Sequence, residues 1–171
     1  MAQQTRILAG ALMGALLIIG IALWVVLSAT EDLTVVPPLW LLGTQVAAGL
    51  AVHFFTEAAG YRTPAIAPGT PRDQAETQGR IAFQSAMVRR FAFSEVIAIA
   101  SVAAAFVVTD GGFLGYVSGA CVSLALMIVH VWPWARPVGR TAASLDRDGG
   151  RSHLLEAFGF SGPDGGAIQR L

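Results

Sequence analysis

A chain of 171 residues in which 54% of side chains are hydrophobic and only 13% charged has too little polar surface to cover a water-soluble core, because soluble domains carry about 25% charged residues. Its mean hydropathy of +0.62 points the same way, and a formal net charge of zero excludes wholesale attraction to nucleic acid or to an acidic partner. The length suits one domain, and the lone Cys121 rules out an intrachain disulfide.

Four apolar segments account for this composition. The first runs from about residue 7 to 27; about 20 apolar residues at 1.5 Å rise each cross a hydrocarbon layer of roughly 30 Å. A secretory signal has a shorter apolar run, about 7–15 residues, and a small-residue cleavage site. Leu27-Ser28-Ala29 is a poor site, so the segment reads as a retained anchor. Pro37-Pro38 punctuates a short loop and opens a second span over 39–55, proline's missing N–H being harmless in a first turn. Arg89-Arg90 precede a third span over 91–108, and Asp110-Gly111-Gly112 turns tightly into a fourth over 113–134. Trp40 near one interface, with Trp132 and Trp134 near the other, fits aromatic belts. The expected fold is all-α: a polytopic membrane protein built as a four-helix transmembrane bundle over 1–135, followed by a tail.

Orientation follows from charge. All eleven cationic side chains are arginines. Arg6 precedes span one; Arg62, Arg72, Arg80, Arg89 and Arg90 occupy the central loop over 57–90; Arg136, Arg140, Arg147, Arg151 and Arg170 lie in the tail. The other two connections hold Glu31, Asp32 and Asp110 and no cation. Positively charged loops stay cytoplasmic, so both termini are expected inside a bacterial cytoplasmic membrane.

In the central loop three prolines, Pro64, Pro68 and Pro71, preclude a helix. Asp73 and Glu76 stand at a capping spacing, from which a helix is expected to run unbroken through Arg90 into span three. Its first turns mix Arg80, Gln84 and Arg89 with Ile81, Phe83, Met87 and Val88. They read either as a membrane helix protruding into the cytosol or as a grip on anionic lipid or a partner through Arg80, Arg89 and Arg90. The tail over 136–171 is polar and glycine-rich and reads as mostly flexible, apart from a short amphipathic turn over 152–158 started by Ser152.

Each span carries a ridge of small residues, as close helix packing in lipid requires. These are Gly10 and Gly14; Gly43, Ala47 and Ala51; Ser94, Ala98, Ser101 and Ala105; and Gly111, Gly115 and Gly119. They serve internal packing, self-association or contact with other membrane-protein subunits.

Glu95 is the only acidic residue within a span. A carboxylate at mid-membrane costs about 2.5–3.5 kcal/mol on insertion scales, so it is paired, protonated or functional. It lies five residues past Arg90, about 7 Å deeper at 1.5 Å per residue. His53 and His130 come to a similar depth near the inner ends of spans two and four. Three readings follow. Glu95 forms a structural network with His53, His130 or Arg90; or it is a protonatable carrier for protons, sodium or a cationic solute; or the two histidines bind a metal or haem iron with Glu95 beside them.

The stretch Phe91-Ala92-Phe93-Ser94-Glu95-Val96-Ile97-Ala98-Ile99 resembles the carboxylate-bearing helix of rotary ATP synthase c subunits, which implies an ion-binding role for Glu95. The likeness covers about eighteen residues; the dense glycine repeat of that family is missing, and the connecting loop is far longer. The chain as a whole resembles small four-span bacterial membrane proteins of unassigned function with a Glu in the third span.

No GxSxG, Walker loop, HExxH, CxxC or dinucleotide fingerprint occurs, so no enzymatic activity, resident metal or cofactor is expected. Nothing interleaves basic and aromatic residues as nucleic-acid binding requires. The expected function is a non-enzymatic accessory or scaffolding membrane component, with an ion- or proton-translocating component using Glu95, or a histidine-ligated metal protein, as alternatives.

Overall fold

The computed structural model describes residues 2–30, 32–108 and 110–160, and these form helices and connecting loops with no strand. Four helices are long and apolar enough to cross a membrane. They are α1 (Ala2–Leu27), α2 (Leu39–Phe55, continued by a π-helical turn over Thr56–Gly60), α3 (Arg72–Val107) and α4 (Gly112–His130). Two shorter helices follow, α5 (Ala135–Asp146) and α6 (Leu154–Ala157).

Helix starts and stops follow local chemistry. Pro38 and Pro71, at φ −57° and −55°, stand immediately before α2 and α3, where a fixed φ and a missing donor are tolerated. The Asp73–Glu76 cap does not form: α3 has no side-chain cap, and Glu76 instead pairs with Arg72 Nε at 2.7 Å. Gly111 lies at φ +70° before α4. A Cβ there would come within 2.6 Å of Pro37 N and 2.8 Å of the Val36 carbonyl carbon, so only glycine lets the 28–38 connection pack against this turn.

Those two connections therefore share one end of the bundle. The π turn, the loop over 61–71, the first turns of α3, and α5 with α6 share the other. α3 has 36 residues, about 54 Å at 1.5 Å per residue, so a helix long enough to cross a bilayer still projects well beyond it. The projection is what the terminal layer folds on. Val138, Thr141, Ala142 and Leu145 form the buried stripe of α5 and join Ala75, Phe83, Met87, Val131, Leu154 and Phe158 in one continuous core with Ala9, Leu16, Ala98 and Met127 of the bundle.

The expected division into a membrane domain over 1–135 and a mostly flexible tail is corrected over 135–160. The spacing i, i+3, i+4, i+7 in α5 makes one apolar face, and that face shares the bundle's core; residues 161–171 of the tail lie outside the described chain. The proline-rich loop is pinned to this layer as well. Ile66 is buried, its N–H donating to Leu145 O at 2.8 Å, and Thr63 N donates to Ser144 Oγ at 3.0 Å.

Around the bundle the outward surface is apolar: Ile18 and Ile21 on α1, Trp40 and Phe54 on α2, Val96 and Ile99 on α3 are all exposed. Inside, the ridges of α3 and α4 meet. Ser94, Ala98, Ser101 and Ala105 are buried, as are Gly115 and Gly119. The ridge expected on α2 is corrected: Gly43, Ala47 and Ala51 face outward, and Leu41, Gln45 and Gly49 are the buried positions. Gln45 decides this, because its amide belongs inside. Its Nε2 donates to Ser101 Oγ at 2.9 Å and Gly115 O at 2.8 Å, while its Oε1 accepts from Ser118 Oγ at 2.6 Å. Bonds of this kind tie helices together where no water competes. α1 is held to α4 by Tyr116, whose hydroxyl donates to Leu16 O at 2.6 Å. Gly10 has nothing within 4 Å of an added Cβ, whereas a Cβ on Gly119 would run into Ser101 and stand 3.0 Å from Gln45 Nε2.

Gly119→Val is expected to destabilise the bundle by about 1–3 kcal/mol through overpacking, and Gly10→Val to leave it unchanged. Thermal unfolding followed by circular dichroism in detergent measures both. Equal shifts for the two variants would contradict the packing of α3 on α4.

Candidate functional site

The two ends of α2 and α4 that point into the terminal layer carry the most polar cluster of the interior. His53 sits in the last turn of α2 and Glu57 one turn further, inside the π turn. A π turn is rare and is frequently found at functional sites. Tyr61 follows directly, His130 is the last residue of α4, and Arg90 lies at the same level on α3.

His53 Nδ1 and His130 Nε2 are 3.0 Å apart, with ring centroids 5.0 Å apart and planes inclined by 46°. Which ring donates depends on the tautomers, since a neutral imidazole has one donor and one acceptor nitrogen. The other nitrogen of His130, Nδ1, is 2.8 Å from the Tyr61 hydroxyl and 3.7 Å from Glu57 Oε1. Glu57 in turn receives Arg136 Nη2 at 2.8 Å and a close contact from Arg140 Nη1. His130 is fully buried and Glu57 only partly.

Arg90 is also fully buried, yet no carboxylate pairs with it among the described residues. Its Nε donates to His130 O at 2.8 Å and its Nη1 to Gly60 O at 3.4 Å. These are the last carbonyls of α4 and of the π turn, which have no partner inside their own helices and carry the negative end of each helix dipole. Arg90 thus caps the end of α4, and it shares the end of the π turn with Arg89, whose Nη2 also donates to Gly60 O at 3.4 Å. The Arg90 guanidinium also lies 4.6 Å from the Tyr61 ring centroid and 5.7 Å from that of Phe83. Arg140 covers Tyr61 from its own side at 4.7 Å. Burial pushes the Tyr61 phenol above its ordinary pKa, while Arg90 and Arg136 act in the opposite sense. Arg90 Nη2 and Thr56 Oγ1 are buried and have no hydrogen-bond partner.

The structure joins two of the three residues anticipated for a polar centre and leaves out the third. His53 and His130 touch; Glu95 is half-buried and makes no ion pair or side-chain hydrogen bond among the described residues. The reason is angular. Arg90, Ser94, Ile97 and Ser101 form the buried face of α3, and each residue turns the helix by about 100°, so Glu95 is rotated away from the face that Ser94 occupies. Glu57 stands where Glu95 was expected.

The three arginines anticipated as lipid or partner contacts also separate. Arg80 is exposed, and Arg89 is exposed with Nη2 donating to Arg62 O at 2.8 Å. Arg90 is instead fully buried, where its donors meet the carbonyls at two helix ends. Glu57 and Tyr61 went unread in the sequence, although His53 and Glu57 stand at the i, i+4 spacing that puts two side chains on one helix face.

No protein-family model, curated protein or solved structure matches the chain.

Arg90→Met leaves His130 O without its donor, while Gly60 O keeps Arg89; a charged bond is worth about 1.5–3 kcal/mol, and stability is expected to fall by at least that of one bond. Glu95→Gln, which breaks no contact, is expected to stay within about 0.5 kcal/mol of the parent. Unfolding curves in detergent compare them, and a larger loss for Glu95→Gln than for Arg90→Met would reverse the assignment.

Proposed function

We propose that this chain is a four-span integral protein of the bacterial cytoplasmic membrane with both termini inside, acting as a non-enzymatic accessory or scaffolding component. The observation that carries the reading is the border between its two surfaces. Exposed apolar side chains ring the four long helices, and Arg62, Arg72, Arg80, Arg89, Arg136, Arg140 and Arg147 all lie in the layer that folds on one end of them. A lipid bilayer accepts the first surface, and the positive-inside preference assigns the second to the cytosol.

Accessory work suits a molecule whose axis is filled. Between α3 and α4 the buried serines, alanines and glycines bring the backbones close, and Gln45 completes its hydrogen bonds there. The arginines that remain exposed are then available to anionic headgroups or to a larger membrane complex, the role the sequence suggests for Arg80 and Arg89. Translocation through Glu95 finds less support, since that carboxylate has no ion pair or side-chain hydrogen bond among the described residues.

Single cysteines in a Cys121→Ser background test the threading. In intact cells a membrane-impermeant maleimide is expected to label Thr34→Cys, and to label Ala67→Cys and Asp148→Cys only after permeabilisation. The opposite pattern, or recovery of the chain in the soluble fraction, overturns the topology. Purification in mild detergent tests the accessory role: elution with other membrane subunits supports it, and a monomer with ion flux in proteoliposomes refutes it.

A further inference from the structure

We infer that His53, Glu57 and His130 form a binding site for a borderline divalent transition metal of the zinc class. One ligand atom from each of the three residues lies within 4.8 Å of the other two. Zinc bonds nitrogen at about 2.0–2.1 Å and carboxylate oxygen at about 2.0–2.2 Å, which sets ligand atoms a little over 3 Å apart around a tetrahedral ion. The His53 Nδ1–His130 Nε2 separation of 3.0 Å is already of that size. Glu57 Oε1 now lies 3.7 Å from the other ring nitrogen, His130 Nδ1, so metal binding requires the carboxylate to swing toward Nε2.

The surroundings have the second layer of contacts that a ligating histidine requires. A metal-bound imidazole donates its other N–H to an oxygen, which fixes its tautomer and orientation. His130 Nδ1 meets the Tyr61 hydroxyl at 2.8 Å, with Glu57 Oε1 beyond it at 3.7 Å. That leaves the His130 Nε2 lone pair directed at His53. The His130 main chain is held by Arg90, and Arg136 and Arg140 hold the Glu57 carboxylate. Two imidazoles and one carboxylate select zinc-like ions over magnesium and calcium, which take oxygen ligands. Three protein ligands leave a fourth position for water or a further ligand.

The nearby guanidiniums set the strength of the site. Arg90 faces the negative ends of two helices, so its charge is offset locally. Arg136 and Arg140 are about half exposed and compete with the metal for Glu57. Releasing that carboxylate from Arg140 therefore raises affinity, a response that a structural role for Glu57 does not produce.

Zinc and cobalt(II) chlorides, titrated into the full chain purified in detergent through a tag without histidine, test this. The expected result is one ion per chain, with the intense visible absorption of tetrahedral cobalt. His53→Gln and Glu57→Gln are expected to weaken binding at least about tenfold, Tyr61→Phe by about tenfold through the outer contact, and Arg140→Gln to strengthen it. Helicity by circular dichroism checks that each variant is folded. A folded parent that takes up no metal overturns the inference, as does binding that survives His53→Gln or is lost instead with His153→Gln. Metal uptake is independent of membrane sidedness, so this result and the maleimide pattern fail separately.

Discussion

The guanidinium of Arg90 holds together the end of the bundle that carries the terminal layer. Two helices, α2 with its π turn and α4, stop at the same level, and each ends in carbonyls that its own backbone cannot satisfy. Inside a protein such groups cost free energy unless a donor reaches them. Arg90 reaches both, through Nε to His130 O and Nη1 to Gly60 O. A buried cation without a carboxylate partner would otherwise be hard to justify, because desolvating an unpaired charge costs several kcal/mol. Here the negative ends of two helix dipoles replace the missing anion, and the faces of Tyr61 and Phe83 complete the surroundings.

Because Arg90 belongs to α3, the same interaction joins the bundle to the layer beyond it. α3 runs through both without a break, and its buried positions pass from Ala75, Phe83 and Met87 to Ile97, Ser101 and Ala105 along one face. The first group packs with α5 and α6, and Phe83 meets Phe158 at 4.9 Å between ring centroids. The exposed ion pairs of this layer, Arg72 with Glu76 and with Glu156, add little, since pairs of that kind are worth about 0–1 kcal/mol. The layer is held by the apolar stripe of α5 and by Ile66, whose N–H is bound to Leu145 O.

The long-range pattern of the fold was legible in the residues, and its interior was not. Length and apolarity gave four helices, Pro37-Pro38 gave the start of α2, and Gly111 gave the turn between α3 and α4, because each feature acts through its own few residues; α3 instead starts after Pro71, without the cap expected from Asp73 and Glu76. The depth argument brought His53 and His130 to one level, where they meet. It could not tell which side of α3 faces them, and a carboxylate at the right depth but the wrong angle, Glu95, was chosen over Glu57. Gly43, Ala47 and Ala51 failed for a related reason. Small residues mark a face that can pack closely, while the buried face of α2 was decided by Gln45, whose amide finds three partners inside. α5 was missed because Pro137 and Gly139 mask a short stripe at Val138, Thr141, Ala142 and Leu145 that only α3 makes sense of.

Polar groups in the interior fall into two kinds, and the difference separates scaffold from site. Gln45 uses both ends of its amide, and Tyr116, Ser94 and Ser101 each donate to a main-chain carbonyl. Such saturation is what the inside of an apolar bundle requires, since every unmade bond there is expensive. At the end covered by the terminal layer the bonding is incomplete: Arg90 Nη2, Thr56 Oγ1 and Thr63 Oγ1 have no partner among the described residues. Buried polar atoms left unpaired in an otherwise well-bonded interior call for an explanation, and here they gather around a π turn, a conformation that is itself unfavourable over an ordinary helix. The proposed metal site accounts for this, since it calls for two histidines and a carboxylate at one level with a phenol and arginines bracing them.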